Sequence, residues 1–203
     1  MKRIGIFGGT FDPPHKGHIA IAEKAARQLS LDRIYFVPAY MPPHKLHRDF
    51  ITAKQRLTMV KLAVRGHNNF RISTVELQRR GISYTIDTLK TFKRRFPNAD
   101  LILIIGADNL AQFQSWKSPK QILRLAALAV YKRRGFNASL KNRSIAFQPI
   151  KGKLLQVSST KIRNKLEKRM GVSKLITKQI ERYIKKHSLY LYINPAARKR
   201  NKK

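Results

Sequence analysis

Apolar residues along this chain fall in short runs that alternate with amphipathic stretches. Residues 3–7 read as a buried strand. Residues 17–29 follow as a helix, with Ile19, Ala22, Ala26 and Leu29 on one face. Residues 33–37 form the next strand, stopped by Pro38. A loop over 39–50 then carries Pro42-Pro43-His44-Lys45. Residues 52–65 make a helix with a stripe of Ala53, Leu57, Val60 and Val64, and Gly66 suits its C-terminal cap. A strand is expected over 70–77 and a helix over 83–96, where Ile86, Leu89 and Lys93 follow one another and Pro97 ends the run. Residues 101–105 are wholly apolar, as in a strand covered on both faces. Beyond them the pattern predicts a helix at 119–125, an extended segment at 127–132, short strands at 145–150 and 153–157, and helices at 158–169 and 177–186.

Alternating strands and helices imply an α/β fold with a mostly parallel sheet and helices on both faces. The expected architecture is a doubly wound, Rossmann-like sheet with a C-terminal helical segment. Its strand-to-helix turns gather at one sheet edge, where such folds bind ligands. At 203 residues, without repeats or a dividing linker, residues 1–193 are read as one domain. After Pro195 the run Arg198-Lys199-Arg200-Asn201-Lys202-Lys203 is expected to leave it, within a basic, flexible tail over 194–203.

Composition narrows the function classes. There is no cysteine, which excludes disulfides and thiolate metal sites. No apolar run reaches the roughly 18–20 residues of a membrane span. The N-terminus moves straight into a strand, so a cytoplasmic protein without a signal peptide is the simplest expectation. Lysine and arginine number 44 against 10 acidic residues, a formal charge of +34. That balance draws anionic partners: nucleotides, nucleic acid or acidic lipid surfaces. The basic residues are spread along the chain, so a general basic bias with lysines decorating solvated faces is the favoured explanation.

The strongest local signal is Phe7-Gly8-Gly9-Thr10-Phe11-Asp12-Pro13-Pro14-His15-Lys16-Gly17-His18. It lies where a strand turns into a helix. Gly8 and Gly9 let a backbone bend and a ligand approach closely. The helix N-terminus offers N–H groups and a positive dipole end to an anion. His15 and His18 can donate hydrogen bonds to phosphoryl oxygens. The pattern is neither Gly-x-Gly-x-x-Gly nor a P-loop. A second candidate is Val157-Ser158-Ser159-Thr160-Lys161-Ile162-Arg163. Its hydroxyls serve equally as helix caps or as a second anion pocket with Arg163.

These segments resemble the nucleotidyltransferase superfamily with the His-x-Gly-His motif, and more narrowly the bacterial nicotinate-nucleotide adenylyltransferases. Related phosphopantetheine enzymes tend to carry Ser and Thr where this chain has Thr10 and His15. Ser158, Thr160 and Arg163 match a Ser-x-Thr-x-x-Arg segment that grips the ATP triphosphate. The resemblance puts the loop bearing His44 and Lys45 over the active site, with Lys45 on phosphate. Ser83-Tyr84-Thr85 with Thr88-Leu89, and Gly106-Ala107-Asp108 leading to Phe113-Gln114-Ser115-Trp116, complete the likeness. By that likeness Gly106 and Asp108 surround the adenosine of ATP. Trp116 lies on the pyridine ring, and Tyr84 and Thr85 lie at the nicotinate end. Read without it, Trp116 is an ordinary aromatic and Thr85 a helix cap. Arg134 stands where the family commonly has proline, which bears on loop stiffness. The likeness spans roughly residues 2–192, with its motifs in order.

The implied reaction is ATP plus nicotinate mononucleotide giving deamido-NAD and pyrophosphate. The 5′-phosphate nucleophile is already ionised, so no general base is needed. His15, His18, Lys45 and Arg163 would stabilise charge, Gly8, Gly9 and Thr10 would cradle phosphates, and Mg²⁺ would arrive with ATP. The alternatives are the same reaction on nicotinamide mononucleotide, or a basic nucleic-acid-binding protein. Sequence sets no oligomeric state.

Overall fold

The computed structural model describes residues 1–43, 51–131, 145–152, 155 and 157–191. Its centre is a six-stranded sheet: β1 (Arg3–Gly9), β2 (Arg33–Pro38), β3 (Phe70–Ile72), β4 (Asp100–Gly106), β5 (Ala127–Tyr131) and β6 (Gln148–Ile150). The order is β3-β2-β1-β4-β5-β6, and every neighbouring pair is parallel. Strand order reverses between β1 and β4, so the chain splays apart at their C-terminal ends. Open parallel sheets bind ligands in that crevice.

Both faces of the sheet are apolar because both are covered. On one face Ile4, Ile6, Tyr35, Val37, Leu103 and Val130 pack against α4 (Thr85–Arg95), α5 (Ala107–Ala111) and α6 (Pro119–Leu125). On the other, Phe7, Ile34, Phe36, Ile102, Ile104 and Ala129 meet α1 (Lys16–Gln28) and α2 (Ala53–Val64). A third apolar cluster joins α2 to the C-terminal helices α7 (Ser159–Glu167) and α8 (Lys178–Lys186) through Met59, Ala63, Ile162, Ile180 and Ile184. This explains why the buried positions of α2 are Arg56, Met59, Val60 and Ala63 rather than one simple stripe. The helix is sandwiched between the sheet and α8.

Three expectations need correction. Residues 70–77 do not form one strand: β3 ends at Ile72 and Val75–Arg79 is a short helix, α3. In register, Val37 would face Ser73 and Pro38 would face Thr74. Proline has no N–H to extend that ladder. Of 145–150 only Gln148–Ile150 is strand; it is an edge strand, where Pro149 is tolerated. Leu155 and Val157 lie outside any strand, and 153, 154 and 156 are outside the described residues, as are Arg134 and the whole of 194–203. Among the described residues, no helix is long and apolar enough to cross a membrane.

Candidate active site

The turn after β1 is shaped by its polar residues and by Phe11. Gly8 and Gly9 both lack a positive φ, contrary to the expectation that they make the bend; Phe11 takes it, at φ 51°. A Cβ on Gly9 would press on the Phe11 ring at 3.1 Å, whereas nothing lies within 4 Å of one on Gly8. Gly9 is therefore small for Phe11. Gly8 leaves open backbone beside the crevice.

His15 is the N-cap of α1 and only 5% exposed. Its Nδ1 accepts the His18 N–H at 3.3 Å, and His18 Nδ1 accepts the His15 N–H at 3.1 Å. This is a capping box built from two imidazoles. The rings stack at 3.6 Å between centroids and 15° between planes. Phe11 packs edge-on against His18 at 5.0 Å. An Nδ1 that accepts carries no proton, so each neutral ring holds its proton on Nε2. Both side chains are thereby fixed as Nε2–H donors. Gly17 makes the close packing possible: its Cβ would lie 2.6 Å from Val157 Cγ1 and 3.0 Å from His15 Nδ1.

The second motif folds against the first. Ser158 caps α7, its Oγ accepting the Lys161 N–H at 3.2 Å. Ser159 Oγ donates to the Pro13 carbonyl at 2.9 Å. Arg163 donates to the Asp12 carbonyl at 2.6 Å and to Thr160 Oγ1 at 3.1 Å. The helix N-terminus, Thr160 and Arg163 thus stand beside the histidine turn. The capping reading of Ser158 holds, and the same segment brings Thr160 and Arg163 to the turn.

Gly106 caps α5 at the end of β4, level with Gly9 if the β1–β4 register is followed three residues past Ile6↔Leu103. A Cβ there would collide with Asp108 Oδ1 and meet the Tyr131 ring at 3.2 Å. Asp108 lies in the first turn of α5. Both therefore sit at the switch point of the sheet.

Tyr84, Thr85 and Trp116 come together in a cleft of about 110 Å³ with Pro43, Ser83, Ser115, Lys117 and Ile122. Trp116 Nε1 is buried and has no hydrogen-bond partner among the described residues. Thr85 opens α4, and the N-cap, Tyr84, makes no side-chain capping bond. The first turn of that helix brings its positive dipole end to the cleft. Lys117 Nζ lies 4.4 Å from the Tyr84 ring centroid. His44 and Lys45 lie outside the described residues.

Three residues central to this geometry were not singled out from sequence. Arg56, 1% exposed, donates to the Thr10 carbonyl at 2.8 Å and the Tyr40 carbonyl at 3.1 Å. It ties the turn after β1 to the segment that borders the Trp116 cleft, since Tyr40 N–H donates to Ser83 Oγ at 2.9 Å. Burial pulls its pKa down, and Asp12, Tyr190 and Glu76 oppose that shift. Asp12 is 2% exposed, with Oδ2 4.0 Å from Arg163 Nη1. Tyr190 donates to Asp12 Oδ1 at 2.6 Å. A lone arginine in an otherwise helical stripe, at Arg56, was the available signal for the first. Tyr190 carries none.

Comparison with known proteins agrees with this layout. The cytidylyltransferase-like family model matches residues 6–165. The nicotinate-nucleotide adenylyltransferase of Bacillus subtilis (strain 168) is 38% identical over 190 residues, covering 94% of this chain and 99% of its own length. A Clostridium tetani protein named a probable nicotinate-nucleotide adenylyltransferase is 41% identical over 202 residues, covering 94% and 100%. The solved structure of Plasmodium falciparum nicotinic acid mononucleotide adenylyltransferase complexed with NaAD shares the fold, with a TM-score of 0.77 at 22% identity, over 94% of this chain and 98% of that one. Six parallel strands, a histidine-capped turn at the sheet's switch point and relatives of this closeness leave one placement: the chain belongs to the cytidylyltransferase-like family and, within it, to the nicotinate-nucleotide adenylyltransferases.

Proposed function

We propose that this protein transfers the adenylyl group of ATP to nicotinate mononucleotide, forming deamido-NAD and releasing pyrophosphate. One observation carries the reading. A paired-histidine, arginine-lined anion site and an aromatic cleft are joined through Arg56 at the same edge of the sheet. The first suits a triphosphate and the second a flat ring, which an indole stacks well.

The mononucleotide 5′-phosphate attacks the α-phosphorus in line. It is ionised at neutral pH, so catalysis rests on positioning and on charge stabilisation. The Nε2–H groups of His15 and His18 donate to phosphoryl oxygens as charge accumulates. Thr10 and the backbone at Gly8 and Gly9 border the same phosphates. Ser158, Thr160 and Arg163 hold the β- and γ-phosphates that leave as pyrophosphate. Gly106 and Asp108 border the adenosine. The family likeness alone gives Lys45 the charge at the junction of the two substrates. Mg²⁺ enters as part of the Mg·ATP substrate, held by phosphate oxygens and water. Among the described residues no group of three or more His, Cys, Asp or Glu gathers to ligate it.

Nicotinate is favoured over nicotinamide by the α4 terminus. A helix N-terminus without a side-chain cap, with Lys117 shared between the cleft and Asp87 Oδ2 at 3.9 Å, attracts a carboxylate more than a neutral amide. Steady-state pyrophosphate release tests the whole reading. Release should require both ATP and nicotinate mononucleotide, in equal stoichiometry. Release at the same rate without a mononucleotide would reject it.

The charge supports a second, weaker role. A cleft of about 560 Å³ on the α3–α4 side is lined by Arg79, Lys90, Lys93 and Arg94, against one carboxylate, Asp87. Non-specific attraction of polyanions there predicts oligonucleotide retention that falls steeply between about 50 and 200 mM salt. A flat response would reject it.

A further inference from the structure

The C-terminal end of the described chain reaches back to the phosphate turn. Tyr190 lies 178 residues from Asp12 along the chain, yet its hydroxyl donates to Asp12 Oδ1 at 2.6 Å. The backbone carbonyl of Asp12 accepts Arg163 Nη1 at 2.6 Å, and Oδ2 lies 4.0 Å from the same nitrogen. Thr160 Oγ1 accepts from the other terminal nitrogen of Arg163. A guanidinium is planar, so two anchors on its two ends fix its plane. One of those anchors is the Asp12 backbone carbonyl, and Tyr190 holds the side-chain carboxylate of the same residue, whose other oxygen lies 4.0 Å from Arg163.

We infer that Tyr190 and Asp12 are positioning residues for Arg163, and that this line from the C-terminal segment sets the grip on the ATP phosphates. The inference rests on the triphosphate reading of the Arg163 pocket and extends it to Asp12, which has no role assigned from sequence, and to Tyr190, which lies outside the sequence motifs. Tyr190 also lies beyond the 6–165 span of the family match.

Two independent observations support a role beyond filling space. Phe11, which leads into Asp12, and Tyr190 itself both hold left-handed backbone, at φ 51° and φ 63°. Such conformations are costly for large side chains, persist only where the surroundings over-determine them, and gather at functional sites. The line is also one of several ties between the turn and the C-terminal segment. Lys16 N–H donates to the Leu175 carbonyl at 3.0 Å, and Ser159 holds the Pro13 carbonyl. Those contacts also tie the segment to the turn. The Tyr190–Asp12 bond adds a fixed direction for the carboxylate that lies 4.0 Å from Arg163. Burial, with the Asp12 charge next, holds the Tyr190 hydroxyl far above its ordinary pKa. It therefore remains a donor at every working pH.

The experiment is calorimetric binding of Mg·ATP and of nicotinate mononucleotide, separately, to the full chain and to Tyr190→Phe and Asp12→Asn. Tyr190→Phe keeps the ring that packs in the third core cluster and removes only the hydroxyl. Asp12→Asn keeps an acceptor for Tyr190 but turns an amide N–H₂ or a neutral oxygen toward Arg163. Both should weaken Mg·ATP binding about tenfold, the scale of one charge-assisted hydrogen bond. Nicotinate mononucleotide binding should be unchanged, because the residues that line its cleft all come from outside 157–191. Reversible partial unfolding would weaken both ligands by the same factor, so an unchanged nicotinate mononucleotide Kd excludes it. Unchanged Mg·ATP affinity in Tyr190→Phe, with or without a lower Tm, would overturn the inference. So would an equal loss for both ligands. Wild-type chain that binds Mg·ATP but forms no product with nicotinate mononucleotide would reject the functional reading alone, while the Tyr190 comparison would still be decided.

Discussion

Replacing His18 separates two jobs that its imidazole performs. His18→Ala removes the acceptor for the His15 N–H at 3.1 Å and the ring stacked at 3.6 Å on His15. Losing one arm of a capping box costs about 1 kcal/mol, and alanine returns up to roughly 0.7 kcal/mol through helix propensity. For a chain of this size that net loss lowers Tm by only a few degrees, at about 2–4 °C per kcal/mol. Against a total stability of roughly 5–15 kcal/mol, nearly all molecules stay folded. The Nε2–H donor is a different matter. Removing one donor aimed at developing charge costs about 10²–10³-fold in kcat. Instability of this size therefore cannot account for the activity loss. His18→Gln sharpens the comparison, because glutamine at the third helical position also completes a capping box. It should restore Tm while kcat stays roughly a hundredfold down. Thermal melts and steady-state pyrophosphate release on the three proteins provide the numbers. Wild-type kcat in His18→Gln, or a loss in His18→Ala within about fivefold, would refute the reasoning from transition-state donors.

Three other substitutions probe separate parts of the site. Gly17→Ala should destabilise despite a propensity gain of about 1 kcal/mol, since its Cβ falls 2.6 Å from Val157 Cγ1 and overpacking costs about 1–3 kcal/mol. It should also lower kcat by displacing His15, and Val157→Ala in the same chain should recover part of both; no recovery would place the strain elsewhere. Trp116→Leu should raise KM for nicotinate mononucleotide about 2–10-fold, the worth of ring stacking, and leave KM for ATP unchanged. A rise in both would remove Trp116 from the ring-binding role. Glu76 is buried, and desolvation raises its pKa above 4.5 although Thr88 donates to it at 2.6 Å. A carboxyl raised in the folded state binds more protons there than in the unfolded chain, so its contribution to stability declines as pH rises through the window above 4.5. Relative to wild type, Glu76→Gln should therefore gain stability as pH rises through that window, measured by denaturant titration; a constant difference would show that Glu76 does not titrate there.

Most of the architecture was legible because parallel, doubly covered strands are short apolar runs and their helices begin at recognisable caps. The failures have local causes. Apolar residues recur past Ile72 at Val75 and Leu77, but the partner strand ends in Pro38, so pairing stops and Val75–Arg79 turns helical. The stripe of α2 was misplaced because a helix packed on two sides has no single apolar face. In the site, the motif residues were legible individually: His15, His18, Ser158, Thr160 and Arg163 do meet at one edge. How they are held was not legible. A histidine pair reads as two ligands, and only the backbone geometry shows each ring capping the other. Asp12, Arg56 and Tyr190 act through contacts spanning 16 to 178 residues, which no local pattern encodes.

Competition between the two mononucleotides tests the proposed activity most directly. With limiting ATP and equal concentrations of nicotinate and nicotinamide mononucleotide in one vessel, the ratio of deamido-NAD to NAD formed equals the ratio of kcat/KM values. The uncapped α4 terminus and Lys117, which Asp87 also holds at 3.9 Å, predict that deamido-NAD dominates the product. A product mixture dominated by NAD would contradict the carboxylate site. No dinucleotide of either kind would contradict adenylyl transfer itself.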